Sequence, residues 1–292
     1  MYYLLYGPLY LISLLPFWVL YGISNIIYGL VYYVFGYRKA VVMSNLAIAF
    51  PEKNIMERTH IAQQFYKNFI DSFIETIKIF SISKKKFDKR CNGNFEVVNA
   101  ALAKGQSISL IGAHLFNWEY ANLTISKNTT IAPIGIYSKI ENDALNRIVL
   151  KLREKYGTIM VATQNFQKKV YHLMQQQFCM YLLADQNPSP SNCIWLNFFG
   201  RPAPFVPGPF KLAIKKNTTI IFINHQKLKR GFYYFSNELV IENCGQYTVE
   251  ELLIKYRDFM EGIIRRQPDN YLWSHRRWKH NFVDHDAVLI GN

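Results

Sequence analysis

A histidine and a glutamate, His114 and Glu119, stand five positions apart, directly after an apolar run that predicts a strand. Open α/β sheets bind ligands at the carboxyl ends of their strands, so the position of this pair favours a role in binding or catalysis. On one continuous helix the two side chains would lie about 140° apart and would diverge. They can converge if His114 lies in the turn and a helix begins near Asn117, which is a good N-cap residue.

In that arrangement Glu119 lies in the first helical turn and holds one imidazole nitrogen, while the other nitrogen of His114 faces a substrate. A histidine oriented by a carboxylate can remove a proton from an alcohol. The spacing alone also allows a capped helix with a histidine satisfied by its surroundings. A metal site is not expected, because the chain has no H-E-x-x-H pattern and no further His or Cys close to His114 in sequence.

The elements that would position this pair alternate along the chain. Apolar runs at 107–111, 130–136, 179–183 and 219–223 predict strands, and patterns at 56–80, 142–156 and 165–176 predict helices. A last helix begins with a capping box formed by Thr248 and Glu251 and ends before Pro268. The pattern predicts an α/β fold, with helices around a mixed, mostly parallel sheet. The apolar stripe of 56–80 faces either the protein core, which is preferred, or a bilayer.

The first 37 residues contain no charged side chain. About 20 apolar residues cross a bilayer, so this segment predicts one uncleaved transmembrane anchor, with a bend possible at Pro8 or Pro16. The basic pair Arg38-Lys39 places the following body, 38–292, on the cytoplasmic side. A core helix is the alternative.

A formal charge of +14 suits an anionic partner, either nucleic acid or an acidic membrane surface. A nucleic-acid-binding protein would need a basic exposed face and no anchor, so the charge-free start counts against it. The four cysteines show no C-x-x-C pairing, and they are predicted to be reduced.

Other candidate site residues follow later elements. Arg153 lies in the last turn of the helix predicted at 142–156, where it can stabilise an oxyanion or act only as a cation near the helix terminus. Asp185 and Gln186 end a predicted strand, and turn chemistry with Asn187-Pro188 is the alternative.

Two late segments could contact an apolar or anionic ligand. Gly200 and Pro202 lie among aromatic residues that either line an acyl chain or pack against the sheet. Between Arg265 and His280, basic residues that include Arg276 and Arg277 alternate with tryptophans. This mixture suits a phosphorylated ligand, a membrane surface or an acidic protein, and a solvated basic face is the simpler alternative.

Several stretches, in order along nearly the whole chain, resemble the lipid A biosynthesis (lauroyl/myristoyl) acyltransferase family, which is similar to the wider glycerolipid acyltransferases with their H-x4-D/E motif. They include the apolar start that closes in Tyr37-Arg38-Lys39, Asn45-Leu46 with Phe50-Pro51, and the segment from His114 to Glu119. Further matches are Arg153 before Gly157, Asp185-Gln186, the stretch 198–203 and the stretch 271–279.

The resemblance implies transfer of a fatty acyl chain from an acyl-carrier-protein thioester to a hydroxyl of a lipid A precursor at the bacterial inner membrane. His114 would be the general base and Glu119 its partner, with no metal or redox cofactor. The residues expected to bind substrates are Asn117, Arg153, Asp185, Gln186, Gly200, Pro202, Arg276 and Arg277.

Two alternatives remain open from the sequence. The acceptor could be another membrane lipid, such as a lysophospholipid, an amino-acid lipid or a glycolipid. The chain could also be a membrane scaffold without catalytic activity.

Overall fold

The computed structural model describes residues 1–282 and 289–290 of the chain. Within these residues the helices are α1 (Tyr2–Leu14), α2 (Phe17–Gly29), α3 (Lys39–Ala49), α4 (Ile55–Lys78), α5 (Lys84–Asp88), α6 (Glu96–Ala103), α7 (Trp118–Asn128), α8 (Asp143–Arg153), α9 (Tyr171–Leu173), α10 (Gly208–Lys216) and α11 (Val249–Arg266). The strands are β1 (Cys91–Gly93), β2 (Ile108–Gly112), β3 (Pro133–Tyr137), β4 (Ile159–Ala162), β5 (Cys179–Leu183), β6 (Ile194–Phe198), β7 (Arg201–Phe205), β8 (Thr219–Lys229), β9 (Phe232–Ile241) and β10 (Leu289–Ile290).

Seven strands form one sheet in the order β1-β9-β8-β2-β5-β3-β4. All neighbouring pairs are parallel except β8 with β9, so the predicted α/β fold around a mixed, mostly parallel sheet is confirmed. Strand β2 is completely buried, as expected for a strand covered on both faces. Its carboxyl end lies beside that of β5, with Gly112 opposite Leu183.

Helix α4 matches the helix predicted at 56–80, and it begins with a capping box between Asn54 and Glu57. Its stripe faces mainly the protein core, because Ile61 and Phe65 are buried. Not every apolar residue of this stripe is buried, because Phe73 is 51% exposed.

Helix α11 confirms the capping box predicted at Thr248 and Glu251. The helix covers the sheet with its apolar side, where Leu252 and Tyr256 are fully buried. The burial of one apolar stripe, rather than helix propensity alone, supplies most of the stability of such a helix.

The continuous helix predicted at 165–176 is wrong. The chain there forms a 3-10 turn (Thr163–Asn165), a π turn (Phe166–Val170) and the short α9. Val170 and Met174 are buried in a small cluster with Ile134 of β3. Tertiary packing of these side chains therefore overrides the regular helical period.

The N-terminal segment is divided at Pro16, because the chain leaves the helical conformation at Leu15. Pro8 lies within α1. A π turn (Leu30–Val34) extends α2, and Phe17–Val34 is long and apolar enough to cross a membrane by length and composition. The body predicted at 38–292 includes residues 283–288 and 291–292, which lie outside the described residues.

The buried His225 of β8 predicts an acid-sensitive fold. Its ring stacks on Tyr233 at 5.0 Å, and neither ring nitrogen has a hydrogen-bond partner among the described residues. Burial lowers the pKa of His225 from 6.5 to about 3, so the unfolded chain binds a proton that the folded chain rejects. The free energy of unfolding should therefore fall as the pH drops from 6.5 towards 3, by at most about 1.4 kcal/mol per pH unit.

Urea denaturation of wild type and His225→Phe at a series of pH values checks this. The phenyl ring keeps the stacking, so the variant should lose part of the acid slope. His60→Gln, which changes an exposed histidine of α4, serves as the control and should keep the slope. Equal slopes for wild type and His225→Phe would contradict the interpretation.

Candidate active site

His114 and Asp185 come together at the carboxyl ends of the neighbouring strands β2 and β5. Each residue lies two positions beyond the end of its strand, and the strands are paired in register. The imidazole Nδ1 of His114 lies 2.7 Å from Asp185 Oδ1, and the backbone N–H of His114 donates to the same oxygen at 3.0 Å. The carboxylate therefore fixes both the backbone and the ring of His114.

The electrostatics of this pair favour an ionised aspartate. Burial of Asp185 opposes its charge, but the nearby His114 and the hydrogen bonds that His114 donates hold the pKa of Asp185 below its ordinary value. An ionised carboxylate accepts a hydrogen bond from the N–H at Nδ1, which leaves Nε2 as the basic nitrogen of the neutral ring. The His114 side chain is 20% exposed and that of Asp185 only 2%, so the histidine is the member that a substrate can reach.

Hydrogen bonds also hold the segment around His114. The hydroxyl of Tyr256 donates to the carbonyl of Gly112 at 2.8 Å, which ties the end of β2 to α11. The N–H of Phe116 donates to Asn270 O, and Leu115 forms an isolated antiparallel bridge with Tyr271. The turn that presents His114 is therefore anchored on both sides.

The predicted placement of the motif is confirmed, since His114 lies in the turn and α7 begins directly after Asn117. The amide oxygen of Asn117 accepts from the N–H groups of Glu119 and Tyr120, as an N-cap does. Its amide nitrogen donates to Ser72 O and to the buried Glu75. Asn117 is 1% exposed and uses both ends of its amide inside the protein, so it positions α7 and does not offer a group to substrate.

The predicted contact between Glu119 and His114 is not formed. Glu119 instead accepts three hydrogen bonds from the guanidinium of Arg153, at 2.6, 2.9 and 3.1 Å. Glu119 also accepts from the indole of Trp118 at 3.2 Å, and the rings of Trp118 and His114 meet edge to face at 5.6 Å. The carboxylate on His114 comes from the neighbouring strand because strand pairing, not sequence proximity, sets which groups meet.

Arg153 is the last residue of α8, so the helix ends earlier than the predicted boundary at 156, and Arg153 is more than a cation at a helix terminus. Burial opposes the charge on its guanidinium, while the hydrogen bonds and the charge of Glu119 raise the pKa of Arg153 above its ordinary value. The side chains are 23% and 12% exposed, so this charged pair lies at the edge of the site and not in open solvent.

The loop after Asp185 is clamped to the C-terminal segment by Asn187. Its backbone N–H donates to His275 Nε2 at 3.3 Å, its side-chain nitrogen donates to Arg276 O at 2.8 Å, and its side-chain oxygen accepts from Arg277 at 2.6 Å. This clamp, rather than a free turn, holds the segment that carries Asp185. Gln186 is exposed beside it.

The basic pair Arg276-Arg277 divides between two environments. Arg277 is 1% exposed, donates to Pro204 O at 2.8 Å and lies 4.4 Å from the centre of the Phe205 ring. Burial lowers the pKa of Arg277, and its position below the surface does not fit the substrate contact predicted for it. Arg276, by contrast, is exposed.

Sequence analysis did not identify His275 as a residue of this region. Burial lowers the pKa of His275 to about 4; the charge of Asp185 opposes this shift, while Arg277, His114 and Arg38 add to it. A neutral imidazole, that of His275, therefore lies near the His114–Asp185 pair. Its place in the stretch that resembles the family was the only signal in the sequence.

Gly200 and Pro202 lie in the hairpin of β6 and β7. Phe199 and Gly200 both have positive φ, at 52° and 74°. These angles are typical of a two-residue hairpin turn, in which glycine is favoured. Phe198 and Phe205 of the two strands are 1% exposed in the main core. Of the two predicted possibilities, this hairpin shows packing of aromatic residues against the body, and Gly200 lies at its exposed tip.

Comparisons with known proteins identify the family. Residues 1–280 match the family model described as bacterial lipid A biosynthesis acyltransferase. A curated protein of Haemophilus influenzae, named lipid A biosynthesis acyltransferase, is 22% identical over 235 residues, which cover 79% of this chain and 72% of the relative. Because the family model covers nearly the whole chain, including the strands that carry His114 and Asp185, the protein belongs to the bacterial lipid A biosynthesis acyltransferase family.

Proposed function

We propose that the protein transfers a fatty acyl chain from an acyl-carrier-protein thioester to a hydroxyl of a lipid A precursor, with His114 as the general base. The observation that supports this is the contact between His114 Nδ1 and Asp185, which leaves Nε2 basic and reachable. The acyl-carrier-protein thioester would be a co-substrate, and the proposed reaction needs no cofactor.

The reaction would proceed in two proton transfers around one tetrahedral intermediate. Nε2 of His114 takes the proton of the acceptor hydroxyl as its oxygen bonds to the thioester carbonyl carbon. The intermediate then collapses, the carbon–sulfur bond breaks, and the imidazolium returns the proton to the leaving thiolate. Asp185 stabilises the imidazolium through the 2.7 Å contact on Nδ1.

The group that stabilises the oxyanion is proposed to be Arg153. The backbone amides that follow Ala113 are less suitable, because the N–H groups of His114, Leu115 and Phe116 already donate within the protein. Glu119 would then hold the guanidinium of Arg153 in place instead of orienting the base. Fixed charges near a developing oxyanion commonly supply a large part of a rate enhancement.

Kinetics of two site variants test the mechanism. His114→Ala and Asp185→Asn should each lower kcat by a factor on the order of 10²–10⁴, the contribution of one positioned base, while the KM values change little. Acyl transfer is measured with acyl-carrier-protein donor and lipid A precursor.

Asp143→Asn is the matched control for Asp185→Asn, because the Asp143 carboxylate is 81% exposed at the start of α8. It should keep wild-type kcat. Wild-type turnover by His114→Ala would refute the assignment of the base. Rapid transfer by wild type to a lysophospholipid, but not to the lipid A precursor, would favour the alternative acceptor.

We further propose that the N-terminal helices attach the protein to the cytoplasmic face of the inner membrane. Their outward side is apolar, with Leu4 and Trp18 78% exposed, Ile26 67% and Phe35 74%. The single-pass arrangement predicted from the sequence would require α2 to separate from the rest of the protein, because α2 is hydrogen-bonded to α4.

Helix α2 lies along α4 through polar and charged contacts. Ser24 donates to Asp71 at 2.6 Å, and Tyr21 donates to Glu75 at 3.0 Å. Arg230 binds Asp71 through two hydrogen bonds, of 2.7 and 2.8 Å, and also contacts Asn25. If α2 crossed the bilayer in this docked state, these charges would enter hydrocarbon at a cost of about 2.5–3.5 kcal/mol each. A position within the cytoplasmic leaflet, with the apolar side in lipid, avoids that cost.

Protease access to the N-terminus separates the two arrangements. A cleavable tag placed before Met1 should be cut in inverted vesicles and protected in spheroplasts, because both ends of α2 remain cytoplasmic. The same tag in the exposed turn at Glu52-Lys53, which lies after the basic pair, should behave identically. Cleavage of the N-terminal tag from the periplasmic side would contradict the leaflet placement and support a single crossing.

A further inference from the structure

A pocket lies between α3 and the C-terminal segment, and none of its lining residues is among those that contact His114. Its volume is about 350 Å³, within the range of ligand sites. One wall is the mainly apolar side of α3, and the opposite wall is basic. The lining residues are Ala40, Val41, Ser44, Asn45, Ile48, Arg201, Arg276, Trp278 and Lys279.

The charge of this pocket is entirely positive. Arg201 comes from the start of β7, and Arg276 and Lys279 come from the C-terminal segment, while no carboxylate lines the pocket. None of the three cations forms an ion pair within the part of the chain that the structure describes. Arg153 and Arg230, in contrast, are each held by a carboxylate. These three cations are thus available to an anion from outside.

Trp278 adds an aromatic wall of fixed position, because its indole stacks on Phe198 with ring centres 5.7 Å apart. The floor is rigid as well, because the Asn45 amide donates to Trp273 O and His275 O, both at 2.8 Å.

The pocket is connected to the candidate active site. The backbone carbonyl of Arg276 accepts from Asn187, the residue that also binds His275 and follows Asp185 by two positions. An anion held here would therefore lie at a set position relative to the loop that carries Asp185.

We propose that Arg201, Arg276 and Lys279 bind a phosphate group of the acceptor glycolipid and so position its hydroxyl for His114. Guanidinium groups match phosphate oxygens in charge and geometry. The apolar side of α3 would contact the less polar part of the same molecule. This inference rests on the proposed acyl transfer, and it assigns phosphate recognition to exposed Arg276 rather than buried Arg277.

The test compares an acceptor that carries its phosphates with the same acceptor after dephosphorylation, using the full-length protein in detergent. For Arg201→Gln and Arg276→Gln, KM for the phosphorylated acceptor should rise about tenfold or more, the effect of one lost charge-assisted hydrogen bond. The kcat values should stay near wild type, and KM for the dephosphorylated acceptor should not respond to either substitution. Lys104→Gln, which removes an exposed charge between α6 and the start of β2, is the matched control and should leave both KM values unchanged.

Equilibrium binding of the phosphorylated acceptor to His114→Ala protein, with and without Arg276→Gln, is measured in parallel. It tests the pocket even if wild type shows no transfer, an outcome that would refute only the proposed function. Equal KM increases for both acceptors, or no increase, would overturn the pocket assignment. So would a loss of binding to phosphatidylglycerol vesicles with an unchanged acceptor KM, because the phosphate would then be that of a membrane phospholipid. A raised KM for the acyl-carrier protein alone would point to that protein and would overturn it as well.

Discussion

The contact between His114 and Asp185 depends on the pairing of β2 with β5. Gly112 and Leu183 are register partners at the ends of their strands, and each site residue lies two positions further along the chain. A shift of one residue in this parallel pairing would turn one of the two side chains away from the other, because side chains alternate between the faces of a strand. Complete burial of β2 holds that register, so the hydrophobic core is what brings base and carboxylate together.

Polar contacts around the core then hold the pieces that the sheet alone leaves free. Tyr256 ties the end of β2 to α11, and Asn187 ties the loop after β5 to the C-terminal segment. Arg277 supports the same loop from below, where it joins Asn187 to Pro204 of β7. Each of these groups is buried or partly buried, and hydrogen bonding offsets the cost of burying a polar group. The C-terminal basic stretch is therefore partly a scaffold, with only its outer residues available to ligands.

Local patterns in the sequence predicted much of this arrangement. Apolar runs located β2 and β5, Asn117 was correctly expected to start a helix, and Thr248 with Glu251 marked the start of α11. The partner of His114 could not be read this way, since Asp185 lies 71 residues away and the order of strands in the sheet is a long-range property. Glu119 was the nearest carboxylate in sequence, but α7 directs it towards Arg153. Charge alone likewise could not tell that Arg277 is buried while Arg276 is exposed.

The central claim is that this His114–Asp185 pair acylates a lipid A precursor. Mass spectrometry of lipid A from cells that lack the gene, complemented with wild type or His114→Ala, tests it most directly. We predict that lipid A lacks one acyl chain in the deletion strain, that wild type restores the chain, and that His114→Ala does not although it accumulates to the same level. Unchanged lipid A in the deletion strain, or full restoration by His114→Ala, would contradict it.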